Sequence, residues 1–284
     1  MPHPQIETDT EQTSERIMAT PSVAQIAADY ERDGYVAGVP IISSAEAAEH
    51  RRRLEEAEEA FGSLHYRSKA HTILRSPLEL VTHPRVLDIV EAMIGPNILL
   101  YNATYIIKEP HAPAHVSWHQ DLTYWGLSHD DQVTLWLALS PATAESGCMR
   151  MVPGTHKQGR MDHEETEDDT NVLYQGQTVR GVEENSAVMC PLRPGEASFH
   201  HGWTLHASMP NVSDDRRIGL NVQYLATHVR QTKHDLDTAM LVRGVDEYEN
   251  FETDHPAKSD LDPAAIAHQQ MLEDRYKSIA GTAG

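Results

Sequence analysis

The chain has 284 residues, with 23 Lys and Arg against 43 Asp and Glu and a formal charge of -20. That length buries a sizeable core without disulfide staples, and Cys148 and Cys190 alone make no disulfide framework. The acidic balance argues against nucleic acid and anionic membrane surfaces; no apolar run approaches the roughly 20 residues of a membrane span, and no apolar h-region marks a secretory signal, so a soluble cytoplasmic protein is expected.

Residues 1–21 are polar and aperiodic, the pattern of a flexible tail. The rest, 22–284, is expected to form one domain. Val23, Ile26, Ala27 and Tyr30 fall at helical spacing, with Ser22 as a candidate N-cap and Gly34 as the stop. Tyr35 to Ile42 predicts a short strand. A second helix starts at Ser44, with only a partial capping pattern around Glu46. The segment 83–95 is amphipathic and ends at Gly95-Pro96. Beyond Pro96 the pattern changes. Runs at 98–107, 132–140, 148–154, 187–192, 196–202 and 218–226 read as strands separated by Gly, Pro and Asn turns. The acidic stretch 161–170 reads as a solvated loop, with a lid as the sharper alternative. Another helical patch lies beyond Pro256. Helices upstream and many short strands downstream predict a mainly β fold, a barrel or sandwich with packed helices.

The chain is rich in histidine, with 18, and the sharpest local motif is SWHQD, which sets His119 and Asp121 two residues apart. On a strand such residues share a face, so an imidazole and a carboxylate can reach one ion. His206, in HHGWTLHASMPN, is the best candidate for a third ligand. Two His and one carboxylate on one face of an octahedron match the non-haem Fe(II) oxygenase site, which leaves positions for a cosubstrate and dioxygen. His115 with His119 would need a helix that Pro113 and the intervening residues disfavour. His200 and His201 point opposite ways on a strand and read as packing or supporting residues, and His156 as structural.

The chain resembles the phytanoyl-CoA dioxygenase-like family of Fe(II)/2-oxoglutarate oxygenases. The resemblance runs from about Tyr30 to Tyr224, through YERDGYVAGVPI, SWHQDLTYW, VTLWLALSPATAESGCMRMVPGTH and RPGEASFHHGWTLHASMPNVSDDRRIGLNVQY. It implies a double-stranded β-helix (a jelly-roll, cupin-like barrel), with Fe(II) on His119, Asp121 and His206. 2-Oxoglutarate and dioxygen follow as cosubstrates. The family's 2-oxoglutarate arginine, eleven positions after the distal histidine, lands on Arg217, with Arg216 as the rival. Alternation favours Arg217: Ile218, Leu220, Val222 and Tyr224 share a face with Arg216, while Asn221 and Gln223 share one with Arg217. The same alternation sets Thr134 and Trp136 opposite Val133, Leu135 and Leu137. It sets Asn102 and Thr104 opposite Tyr101, Ala103 and Tyr105.

Thr134 and Asn102 are therefore candidate cosubstrate contacts, and the resemblance adds Ser208, two residues beyond His206, at a family position that helps hold 2-oxoglutarate. Trp136 either walls the pocket or packs in the core. Asn221, Gln223 and Tyr124 are candidate substrate contacts, with Trp125 beside Tyr124 at the mouth. In related halogenases a small residue replaces the carboxylate, so Asp121 implies hydroxylation of an unactivated C–H bond. Desaturation, epoxidation and cyclisation stay open, as does a metal-binding barrel without turnover. Family members act on acyl-CoA thioesters, compatible solutes, aminoalkylphosphonates and natural-product intermediates. With only Lys69, Lys108, Lys157, Lys233, Lys258 and Lys277, no basic patch for coenzyme A is evident. A small polar or amphiphilic metabolite is the expected partner, and nothing points to an oligomer.

Overall fold

A computed structural model describes residues 20–173 and 176–280; the proposed tail lies outside them, apart from its last two residues. The upstream helices form where their capping residues allow. In helix α1 (Val23–Asp33), the Ser22 hydroxyl accepts from the Gln25 N–H, and Gly34 ends the helix in the left-handed region at φ 81°. Helix α2 (Ser44–Phe61) is capped by Ser43, one residue earlier than expected, and the capping box is complete. Glu46 N–H donates to Ser43 Oγ, and Ser43 N–H donates to the Glu46 carboxylate. A short helix α3 (Arg75–Val81) follows, then α4 (Pro84–Ile94), with proline in its first turn.

The strands are β1 (Tyr35–Pro40), β2 (Ile98–Lys108), β3 (Val116–His119), β4 (Gln132–Ala138), β5 (Met149–Met151), β6 (Val188–Cys190), β7 (Glu196–His201), β8 (His206–Ser208), β9 (Arg217–Ala226), β10 (Thr238–Arg243) and β11 (Glu252–Thr253). Among the described residues they form two sheets, ordered β1-β7-β4-β9-β2-β10-β11 and β3-β8-β5-β6. Pairing is antiparallel except between β10 and β11. This is the jelly-roll arrangement. The strand-like run at 148–154 narrows to three residues, and the runs at 187–192 and 196–202 also shorten at their ends.

Alternation along β9 decides what each face of the large sheet meets. Ile218, Leu220, Val222 and Tyr224 point into one core. That core also holds Val133, Leu135 and Leu137 of β4, Ile26 and Tyr30 of α1, Leu54 of α2, and Val86, Ile89 and Val90 of α4. Burying a Leu or Val side chain contributes about 1.5–3 kcal/mol, so the helices cover this face. The opposite face, with Arg217, Asn221 and Gln223, fronts a cavity closed on its far side by the smaller sheet.

Strand β2 departs from strict alternation. A bulge at Tyr101 breaks its register with β9 between Leu100 and Asn102. Tyr101 therefore joins Leu99, Trp125 and Leu225 in a separate cluster rather than Ala103 and Tyr105 as expected. Past the bulge, Asn102, Thr104, Ile106 and Lys108 follow one another on the cavity side of the strand.

The last helix, α6 (Pro263–Ala280), returns from the end of the chain to bring Tyr276 and Lys277 to the cavity. Among the described residues no helix is long and apolar enough to cross a membrane.

Candidate metal centre

The two histidines face each other because the small sheet pairs them: His119 on β3 is the direct antiparallel partner of His206 on β8. Their ring centroids are 4.1 Å apart. Asp121 joins them by a different route from the one expected. Strand β3 ends at His119, and Asp121 has helical dihedrals (φ -57°, ψ -46°) at the entry to the one-turn helix α5 (Leu122–Trp125). A turn, not strand alternation, swings the carboxylate under the histidines. Gln120 fixes that turn by donating to the carbonyls of Gly159 and Trp203 at 2.8 Å and accepting from Met161 N–H at 2.7 Å.

One ligand atom from each of His119, Asp121 and His206 can be chosen so that all lie within 4.8 Å of one another. The two imidazoles are oriented alike. Nδ1 of His119 is 2.9 Å from Ser117 O, and Nδ1 of His206 is 2.9 Å from Thr204 O. Donation to those carbonyls leaves both Nε2 lone pairs facing Asp121 Oδ1, at 3.5 and 3.7 Å. The other carboxylate oxygen is held elsewhere: Asp121 Oδ2 accepts from Thr134 Oγ1 at 2.9 Å and meets His200 Nε2 at 3.1 Å. Burial alone would raise the Asp121 carboxyl, but His206, His119 and His200 hold it well below the usual carboxylate range. Burial, then the neighbouring His119 and His200, holds His206 well below the usual imidazole range. An ionised carboxylate and a neutral imidazole are the forms a divalent ion binds. The donor set therefore fits a 2-His-1-carboxylate iron site.

Thr134, expected as a cosubstrate contact, donates its hydroxyl to the Asp121 carboxylate. His200 supports the same oxygen, while His201 turns the other way, towards Tyr30 and His156. His156 lies against Glu31 O at 3.2 Å, a packing role.

The cavity beside the triad measures about 420 Å³. Arg217 lies on its wall and is 1% exposed. Its Nη1 donates to Gly147 O at 2.7 Å, its guanidinium stacks over Trp136 at 5.0 Å, and its Nε–H has no partner among the described residues. No carboxylate pairs with it among the described residues, and burial pulls it down to about 10. Two glycines make this pose possible. A Cβ on Gly219 would sit 2.0 Å from the Trp136 ring, and one on Gly147 (φ +73°) 2.1 Å from Met209 O. Arg216 points to the opposite side, where its side chain pairs with Glu58 at 2.8 Å and Glu109 at 3.0 Å. An unsatisfied buried guanidinium fits a carboxylate-bearing cosubstrate.

Trp136 is both a cavity wall and part of a buried cluster with Cys148, Met149 and Met151. Asn102 lines the cavity while its Oδ1 accepts from Lys69 N–H at 2.7 Å. Ser208 lines it and accepts from Lys108 Nζ at 2.8 Å. Asn221, Gln223, Tyr124 and Trp125 all reach it. The acidic residues of 161–170 do not line it, but Val172 and Leu173 just beyond them do.

Several lining or supporting residues were not foreseen: Tyr66, Met149, Tyr276 and Lys108. The alternation 102, 104, 106, 108 carries the signal for Lys108. No local pattern could bring Tyr276 to a site whose other lining residues, apart from its neighbour Lys277, all lie at Gln223 or earlier in the chain.

The sequence model of the phytanoyl-CoA dioxygenase family matches residues 30–219. Among curated proteins, the chain is 31% identical over 149 residues to a probable alpha-ketoglutarate-dependent hypophosphite dioxygenase of Stutzerimonas stutzeri, covering 52% of each. It is 32% identical to the 1-deoxypentalenic acid 11-beta-hydroxylase of Streptomyces arenae, over 48% of this chain and 51% of that protein. The matches span about half the length of these relatives. Among solved structures, the non-heme monooxygenase ThoJ superimposes with a TM-score of 0.77 at 27% identity, over 89% of this chain and 99% of that one. The alpha-ketoglutarate-dependent carbocyclase SnoK from nogalamycin biosynthesis gives 0.58 at 25% identity, over 85% and 97%. With the match extending from α1 through both histidines and the carboxylate to Arg217 and Gly219, the chain belongs to the phytanoyl-CoA dioxygenase (PhyH) family.

Proposed function

We propose that the protein is an Fe(II)/2-oxoglutarate-dependent oxygenase that hydroxylates an unactivated C–H bond of a small, largely neutral amphiphilic metabolite. One observation carries this reading. The His119–Asp121–His206 cluster and a buried guanidinium with an unsatisfied N–H line the same cavity. A metal-binding barrel without turnover has no use for the second of these.

Bound there, iron with 2-oxoglutarate and dioxygen supplies an oxidant able to break such a bond. The residues prepare the site. His119 and His206 offer Nε2, and Asp121 offers Oδ1 while Thr134 and His200 hold Oδ2. Arg217 grips the distal carboxylate of 2-oxoglutarate, with Ser208 beside it. Asn221 and Gln223 orient the substrate; the unpartnered Gln223 Oε1 and Tyr124 hydroxyl support such a polar role. Ile106, Val116, Leu173 and Tyr276 give the cavity its apolar walls and exclude water. Among the described lining residues, the cations and imidazoles besides Arg217 and the metal histidines are Lys277 and His200, which suits a neutral substrate better than a polyanionic thioester. The free cysteines Cys148 and Cys190 support a cytoplasmic setting. The carbocyclase SnoK supports a second reading, in which the same oxidation ends in ring closure.

Anaerobic titration of the Fe(II)-loaded protein with 2-oxoglutarate tests the cofactor assignment, with a metal-to-ligand charge-transfer band expected. A metabolite screen for succinate formation then finds the substrate, and product analysis separates hydroxylation from ring closure. Absence of the band, or full activity in Asp121→Ala, overturns the reading.

A further inference from the structure

Lys108 ends the cavity-side row of β2 and is 3% exposed. It is the direct cross-strand partner of Arg217. Two buried cations thus stand side by side, and neither has a carboxylate partner among the described residues. An unpaired buried charge is costly, and a second beside it adds to that cost. The three donors of Lys108 all go to neutral oxygens: Ser208 Oγ at 2.8 Å, Ser208 O at 3.4 Å and Met209 O. Burial, with Arg217 pushing the same way, brings the Lys108 ammonium down to about 6, and an anion bound beside it would favour the charged, fully donating form.

The bond to Ser208 Oγ has a directional consequence. A hydroxyl has one proton and two lone pairs. With Lys108 in its charged form, which has no lone pair, it can only donate to Ser208, so the Ser208 proton must point elsewhere, and among the described residues it has no acceptor. Ser208 lines the cavity next to Arg217.

We propose that Lys108 is a positioning residue for the cosubstrate: it makes Ser208 a hydrogen-bond donor into the cavity beside Arg217, and together they select an oxoacid with a second, distal carboxylate. This rests on the 2-oxoglutarate reading above. The alternative is a purely structural lysine that ties down the carbonyls at the end of β8.

The test compares two probes, 2-oxoglutarate and 2-oxobutyrate, which lacks the distal carboxylate. Each is titrated anaerobically into Fe(II)-loaded protein and read from the charge-transfer band. Lys108→Met is expected to lower the preference for 2-oxoglutarate by about 10- to 100-fold, the range of one charge-assisted hydrogen bond, with 2-oxobutyrate binding unchanged. Ser208→Ala, which keeps Lys108, is expected to lower the same preference. The double variant should lose much less than the product of the two single losses. Equal weakening of both oxoacids, an unchanged preference, or multiplicative losses overturn the proposal. Should Lys108→Met fail to fold, an unchanged preference in Ser208→Ala still overturns it. A wild-type protein that gives no band with either oxoacid overturns the 2-oxoglutarate reading itself.

Discussion

Strand β2 places Lys108 at one end, and beside its other half lies a second buried lysine, Lys69, in a very different setting. Lys69 is 1% exposed; its Nζ donates to Asp254 Oδ2 at 2.8 Å, to Thr238 O at 2.7 Å and to Tyr101 O. Its charge is matched by a carboxylate that is itself fully buried. Among the described residues, Lys108 and Arg217 have no such partner. The first region is closed: each charge has its counterion, and the result is a clamp between β2, β10 and the segment carrying Asp254. The second lacks an anion and opens onto a cavity. A buried charge is therefore informative only through its partners, which separate a fastening from a binding site.

Substitutions that remove one member from each region should give opposite signatures. Asp254→Asn leaves Lys69 buried without its counterion, and about 3–5 kcal/mol of stability is expected to disappear in chemical denaturation. The 2-oxoglutarate affinity of the protein that remains folded should be unchanged; a large loss of affinity with intact stability would erase the distinction. Arg217→Ala should do the reverse. Loss of a buried charged contact, about 2–5 kcal/mol, weakens 2-oxoglutarate binding by a factor of roughly 30 or more, measured by anaerobic titration, with little loss of folding stability. Thr134→Val removes the donor that holds Asp121 Oδ2. A 10- to 100-fold loss of Fe(II) affinity, about the usual effect of such a supporting partner, should appear without a change in preference between oxoacids. Arg216→Ala, one residue from Arg217, breaks only a partly exposed ion-pair network. It should cost about 1 kcal/mol or less and leave cosubstrate binding alone. If it matched Arg217→Ala in cosubstrate binding, the assignment of faces along β9 would fail.

Much of this organisation can be read from the sequence where a short-range rule applies. Period-two alternation in β9 separates Arg216 from Arg217, and it separates Trp136 from Leu135 and Leu137 in β4. Ser22 and Gly34 mark both ends of α1. The rules fail where geometry is irregular or distant. Asp121 reaches His119 through a turn whose angle no periodicity encodes. The Tyr101 bulge shifts one residue of β2 to another cluster. The short strands β10 and β11 are held by pairing with β2 and with each other rather than by a pattern of their own. Thr134 could be placed on the correct side of β4, but its partner, thirteen residues earlier, depends on the fold.

The placement of α6 sets one wall of the cavity apart from the rest along the chain. The family match covers residues 30–219 and so includes every metal ligand and Arg217, while Asn221, Gln223 and Tyr276 lie beyond it. One wall of the cavity, carried by α6, thus lies on a different stretch of the chain from His119, Asp121, His206 and Arg217, whereas Asn221 and Gln223 share β9 with Arg217. A change confined to the last helix would therefore reshape one wall of the cavity and leave the facing histidines and carboxylate untouched.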